Sequence, residues 1–285
     1  MGKVIIIGGK VDIGLALDKK NSKAAGIKNI HPLILERFLK EMRGKKSRIE
    51  IITAATKTPV VVGKEYKKAL KKLGCQKVNV MRFSTKVQAD QKKFLDRLKK
   101  CHGVMFTGGN QSLLIEALLD SEFHRILKHR FTQEKRFMVA GTSAGAMAMS
   151  LFMIEHGKPS EALRKGRVTL SEGLGLLPKI IIDTHFVNRG RFGRLIEAVA
   201  YHQKCLGIGL GEDTAVYFKK PDHVETIGTN LVVLIDGSKI TYNNIEEIKK
   251  NEPICLEDMK LHVLPNKHVF NIPRRRIYKK LRRAQ

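Results

Sequence analysis

The stretch Phe137-Met138-Val139-Ala140-Gly141-Thr142-Ser143-Ala144-Gly145 runs from an apolar segment into a turn of small residues, and helix-forming residues follow from Ala144 to Phe152. A buried strand, a tight Gly-x-Ser-x-Gly turn and a helix in that order form a nucleophile elbow, in which the serine Oγ projects from the end of the strand. Gly141 and Gly145 tolerate the strained turn because they carry no Cβ. The alternative reading is a small-residue helix entry whose serine only caps the helix.

Outward from this turn, short β-branched runs alternate with amphipathic helical stretches. Candidate strands are Val4 to Ile7, Ile49 to Thr53, Val78 to Met81, Gly103 to Phe106, Phe137 to Ala140, Ile180 to Ile182 and Leu206 to Leu210. Tyr66, Ala69, Leu70 and Leu73 share one helical face, as do Phe94, Leu95 and Leu98. This alternation predicts an α/β fold with a mostly parallel central sheet flanked by helices. After Asp213 the pattern becomes strand-like pieces separated by turns, at Ala215 to Phe218, Val224 to Ile227, Leu231 to Ile235 and Lys239 to Tyr242, which predicts an antiparallel C-terminal extension of the same sheet. No linker or repeat divides the chain, so one domain over 1–270 is expected, followed by a basic, exposed or loosely docked tail over 271–285.

Composition narrows the class. Apolar residues make up 42% of the 285, an ordinary supply for one well-packed core, and no run is long enough to span a bilayer; the reading is a soluble, cytoplasmic protein. Cys75, Cys101, Cys205 and Cys255 lack metal-ligand spacing, which points to reduced thiols and no metal. The formal charge of +27 favours acidic partners, but the basic residues are scattered and aromatic residues are only 6% with no Trp, so base-stacking platforms are poor and the pattern argues against nucleic acid as the partner.

A nucleophilic serine needs a base. Among ten histidines only His185 directly follows a buried-type strand, Ile180-Ile181-Ile182-Asp183-Thr184-His185, and strand ends of an open parallel sheet converge on one crevice. His102, His124, His129 and His268 sit in polar or basic surroundings and read as surface. Glu155, Glu161, Glu172, Asp183 and Glu212 are the candidate acids to orient the imidazole, and spacing does not choose among them. Thr107-Gly108-Gly109-Asn110-Gln111 follows another strand and offers amides to the crevice as a second wall of an oxyanion hole. A nucleotide site is not expected, because no Walker Lys-Ser/Thr pair accompanies these glycines. Past His185, the guanidiniums of Arg189, Arg191 and Arg194 form a natural clamp for carboxylates.

Together with Phe106, Ala140-Gly141-Thr142-Ser143-Ala144-Gly145-Ala146, Gly173-Leu174-Gly175-Leu176 and Gly209-Leu210-Gly211-Glu212-Asp213-Thr214-Ala215, these segments resemble the cyanophycinase family, over most of the chain up to Val216. These are serine exopeptidases with a fold like class I glutamine amidotransferases, related to the aspartyl dipeptidases. The resemblance implies Ser143 as nucleophile, His185 as base and Glu161 as triad acid, with Glu212 in reserve. It implies an oxyanion hole from the Gly109 and Ala144 amides, and a substrate pocket lined by Gln111, Asp183, Arg189, Arg191 and Arg194. It further implies a homodimer, no cofactor, and as substrate cyanophycin, a poly-aspartate backbone with arginine on each side-chain carboxylate, released as β-Asp-Arg dipeptides through an acyl-enzyme. On that substrate the clamp would take arginine carboxylates, and Asp183 or another acid the guanidiniums. The alternatives are a related aspartyl dipeptidase on short peptides and a non-catalytic basic protein that binds nucleic acid.

Overall fold

The computed structural model describes residues 1–14 and 33–280, so the last five residues of the expected tail lie outside the described residues. In chain order the strands are β1 (Lys3–Ile7), β2 (Arg48–Ile52), β3 (Lys77–Met81), β4 (Gly103–Phe106), β5 (Met138–Thr142), β6 (Phe152–His156), β7 (Thr169–Glu172), β8 (Ile180–Thr184), β9 (Leu206–Leu210), β10 (Thr214–Lys220), β11 (His223–Gly228), β12 (Val232–Asp236), β13 (Tyr242–Asn243), β14 (Leu256–Glu257), β15 (Lys260–Leu264), β16 (His268–Asn271) and β17 (Arg276–Lys280). The α-helices are α1 (Leu33–Lys40), α2 (Pro59–Lys72), α3 (Lys86–Ala89), α4 (Lys92–Lys100), α5 (Gln111–Leu118), α6 (Glu122–Gln133), α7 (Ala144–Met147) and α8 (Phe192–Tyr201).

Nine strands form the main sheet in the order β17-β16-β11-β10-β1-β5-β4-β2-β3. The β1, β5, β4, β2 and β3 half is parallel, and β10, β11, β16 and β17 continue it antiparallel. Side chains alternate between faces along a strand, and β1 is buried on both. Val4 and Ile6 join the core shared with α4, α5, α6 and α8, while Ile5 and Ile7 join the one shared with α1 and α2. Strands covered on both faces are continuous apolar runs, which is why the sequence marks them so clearly.

Three expectations need correction. First, β8 and β9 do not enter the main sheet. They pair in parallel with each other and, through β12 and β15, build a separate four-stranded sheet in the order β15-β12-β9-β8. The antiparallel extension is therefore split, with β10 and β11 on the main sheet and β12 on the second; of Lys239 to Tyr242, only Tyr242 lies in a strand, the two-residue β13. Second, the elbow helix stops at Met147 rather than reaching Phe152. The carbonyls of Ala148, Met149 and Ser150 accept from the amides of Leu174, Leu177 and Gly175, at 2.8, 2.9 and 3.1 Å, so tertiary partners replace the next helical turn, and β6 begins at Phe152. Third, the expected tail contains β17, an Arg/Lys-rich edge strand paired to β16. Charged residues on an outermost strand discourage pairing with further chains.

Candidate active site

Ser143 follows β5 with φ +50° and ψ −117°, a conformation rare for a residue with a Cβ, and its amide is held by the Ile7 carbonyl at 2.9 Å. The turn closes because Gly145 lies against β4: a Cβ there would be 2.7 Å from both the Cβ and the carbonyl oxygen of Phe106. Ser143 precedes α7 but makes no side-chain capping bond. Its Oγ instead lies 3.1 Å from Nε2 of His185. That excludes the capping serine as the reason for this residue.

His185 arrives from the second sheet, just past β8. It also has a positive φ, +51°, and its amide donates to the Gly8 carbonyl at the end of β1 at 2.8 Å. This bond ties the ends of β1 and β8 together, so the two sheets meet where Ser143 emerges. Nδ1 of His185 lies 2.8 Å from Oε1 of Glu212. A carboxylate only accepts, which assigns the proton to Nδ1 and leaves the Nε2 lone pair to accept the Ser143 hydroxyl hydrogen. The other Glu212 oxygen pairs with Lys10 Nζ at 3.0 Å.

The electrostatics follow from these contacts. Burial is the largest influence on His185 and lowers its pKa below the ordinary value, aided by Arg189 and Arg191 and opposed by Glu212. For Glu212, burial pushes upward, but the hydrogen bonds from His185 and Lys10 outweigh it, so the carboxyl sits below the ordinary range and stays ionised. An ionised carboxylate behind a neutral imidazole is the arrangement a general base requires.

The expectation that Glu161 faces His185 is not met. Glu161 ends a 3-10 turn, Pro159–Glu161, and its exposed carboxylate pairs with Lys158 at 2.9 Å and Arg167 at 3.5 Å. Asp183 needs correction as well. It is fully buried and does not face the crevice: Oδ1 accepts from Arg191 Nη1 at 3.0 Å, Arg194 Nη2 at 2.7 Å and the Thr184 amide at 2.9 Å, and Oδ2 from Arg194 Nε at 2.9 Å. A buried carboxylate is costly unless paired, so Asp183 fixes the two guanidiniums rather than meeting a ligand. Burial and the neighbouring Arg194 and Arg189 charges leave the Arg191 pKa below its ordinary value despite Asp183.

Among the described residues, two cavities open on the Ser143–His185 pair. One of about 420 Å³ is bounded by Gly109, Gln111, Glu155, Lys158 and the Arg189, Arg191 and Arg194 side chains. The other, of about 400 Å³, lies toward Lys10, Glu65 and Tyr66 and shares Gly109, Ser143 and His185. Gly109 has φ +144°, and a Cβ there would fall 2.0 Å from the Ala55 carbonyl oxygen, so only glycine lets this loop pack against Ala55 beside the cavity. Gln111 lines the first cavity, with its side-chain amide nitrogen held by the carbonyls of Ile154 and Glu155 at 3.1 and 2.8 Å. A larger cavity, about 620 Å³, lies among Lys3, Arg48, His102 and Arg130 at the opposite strand ends, away from this chemistry.

Ser143, His185, Gly109, Gln111, Arg189, Arg191 and Arg194 are thus brought to one crevice, and Glu161 and Asp183 are not. Lys10 was not singled out from sequence; it lies three residues past the end of β1, whereas Ser143 and His185 each follow their strand directly. His124, read as surface, is buried: Nδ1 accepts from the Asp120 amide at 3.2 Å, so Nε2 donates to the Leu174 carbonyl at 2.9 Å. Among the described residues no His/Cys/Asp/Glu group could hold a metal ion, and no helix is long and apolar enough to cross a membrane.

Comparison with known proteins places the chain among peptidases. The family model of Peptidase family S51 matches residues 22–226. A cyanophycinase of Trichormus variabilis is 34% identical over 244 residues, 86% of this chain and 82% of that protein. A cyanophycinase of Geminocystis herdmanii is 31% identical over 268 residues, 94% of this chain and 93% of that protein. Among solved structures, a peptidase from an acI-B1 Actinobacterium superposes with a TM-score of 0.62 at 17% identity, over 95% of this chain and 97% of that one. A putative peptidase E from Listeria monocytogenes gives 0.54 at 16% identity, over 81% of this chain and 100% of that one. At such identities the two structures speak for the fold alone.

Proposed function

The chain belongs to Peptidase family S51 and is a serine peptidase, and from that premise we propose that it hydrolyses cyanophycin to β-Asp-Arg dipeptides through an acyl-enzyme. The observation that carries the reading is the Ser143–His185–Glu212 chain of hydrogen bonds opening on a cavity with three arginines. His185 takes the Ser143 proton as Oγ attacks the backbone α-carbonyl that joins one aspartyl residue to the next, and then returns it to the leaving backbone amine, so the β-amide to arginine stays intact. The Gly109 and Ala144 amides hold the oxyanion, and Glu212 fixes the imidazole tautomer and stabilises the imidazolium. Water, deprotonated by the same His185, attacks the acyl-enzyme and releases the dipeptide. Arg189, Arg191 and Arg194 supply cationic contacts for the free carboxylates of arginine-bearing units.

The test is incubation of the purified protein with cyanophycin and quantification of β-Asp-Arg. Release of the dipeptide is the expected result. Cleavage of short aspartyl peptides without attack on the polymer would replace this reading by an aspartyl dipeptidase, and no cleavage of either would overturn it.

The acid limb of kcat/KM is expected below pH 6.5, the ordinary imidazole value. His185 acts as a base only when neutral, and a lowered pKa keeps it neutral to lower pH. Activity is therefore lost only as the pH falls through that depressed value. A pH–rate profile with its acid midpoint at 7 or above would contradict the environment described for His185.

A further inference from the structure

We infer that Glu155 recognises the guanidinium of the substrate and is the residue that sets selection of arginine-bearing units. The inference rests on the reading of the substrate as a β-aspartyl-arginine polymer, and it assigns the half of that substrate which the arginine clamp cannot hold.

The cavity beside Ser143 carries Lys158, Arg189, Arg191 and Arg194, which suits carboxylates and opposes a cation. Asp183 offsets one of these charges but cannot itself meet a ligand, since it is fully buried and both its oxygens are engaged by Arg191 and Arg194, which leaves the cluster net positive. Glu161, the next nearest acid in sequence, is turned to Lys158 and Arg167. Among the described residues Glu155 is the one carboxylate that lines the cavity.

The local structure also prepares it for such a role. Glu155 lies on β6, its side chain is 27% exposed, and Oε1 accepts from Ser112 Oγ at 2.9 Å. Gln111 donates to the Glu155 carbonyl, so the start of α5 braces both the backbone and the carboxylate. A carboxylate held on one oxygen loses little rotamer freedom when a guanidinium binds the other, and His156 at 4.0 Å is its only other ionic neighbour among the described residues. An arginine side chain crossing the cavity to Glu155 would leave its own carboxylate for the arginine clamp, so the zwitterionic unit is bound at both ends. A charge-assisted bond in a partly desolvated cavity is also where discrimination between a charged group and its neutral isostere is largest.

The experiment compares kcat/KM on two short synthetic aspartate oligomers that differ only in carrying, on each side-chain carboxylate, arginine or its neutral isostere citrulline. The wild type is expected to favour arginine by about 10- to 100-fold, Glu155→Gln to lose most of that preference, and Glu155→Asp to recover part of it. Each ratio is taken between substrates on one variant, so a loss of folded protein cancels. Preference for arginine retained in full by Glu155→Gln would overturn the role of Glu155 while leaving the substrate reading intact. Cleavage of neither oligomer by the wild type would overturn the substrate reading, and the inference with it.

Discussion

Replacing Ser143 by alanine is expected to lower kcat on cyanophycin by about 10⁴- to 10⁶-fold without unfolding the protein. The effect is large because, in the proposed mechanism, the variant removes the atom that would form the acyl bond. The fold is expected to survive for a local reason. The Ser143 Oγ caps nothing in α7, its one hydrogen-bond partner among the described residues is the His185 ring, and alanine carries the same Cβ through the φ +50° turn. The amide hydrogen bond to Ile7 and the packing of Gly145 against Phe106 do not involve the Ser143 side chain. The thermal midpoint of Ser143→Ala should therefore lie within a few degrees of the wild type, read together with single-turnover and steady-state kinetics. A variant that keeps a tenth or more of the wild-type rate at an unchanged midpoint would rule Ser143 out as the nucleophile.

The pairing of Ser143 with His185 was legible because both residues directly follow buried strands, and buried strands are the strongest signal in this chain. The limits expected for β1 to β5, β8 and β9 lie within two residues of the observed ones for the same reason. The sheet to which β8 and β9 belong was not legible. An apolar run shows that a strand is buried, and not which neighbour it pairs with. The acid failed on the same ground. Glu212 is beside His185 because Thr184 pairs with Leu210 in the parallel β8–β9 ladder, so the residues that follow each strand emerge together. Without that pairing, Glu161 and Glu212 are both loop acids near a glycine. Glu161 is then taken by a local contact, the Lys158 ammonium three residues away, which the sequence does print but which carries weight only once the loop has a shape. Asp183 shows the converse error. A polar residue near a strand end beside three arginines reads as a binding site, yet a carboxylate buried inside a sheet must be neutralised from within, and two of those arginines do so.

The two candidate acids make opposite predictions. Glu212→Gln is expected to lower kcat by about 10³- to 10⁴-fold with little change in KM, because an amide can donate to Nδ1 and stabilise the tautomer that turns the Nε2–H, rather than its lone pair, toward Ser143. Glu161→Gln should stay within a few-fold of the wild type, since it breaks only exposed ion pairs with Lys158 and Arg167. The pH profile separates a catalytic from a merely structural loss at Glu212. The carboxylate raises the His185 pKa through its hydrogen bond and its charge, against burial, so removing it leaves burial, Arg189 and Arg191 to lower that pKa further. The residual activity of Glu212→Gln should accordingly have its acid limb at lower pH than the wild type, whereas a variant that only misfolds in part would keep the wild-type limb at reduced amplitude. A large loss in Glu161→Gln together with a mild one in Glu212→Gln would return the role of orienting acid to Glu161 and require the loop at Pro159–Glu161 to move against His185 during turnover.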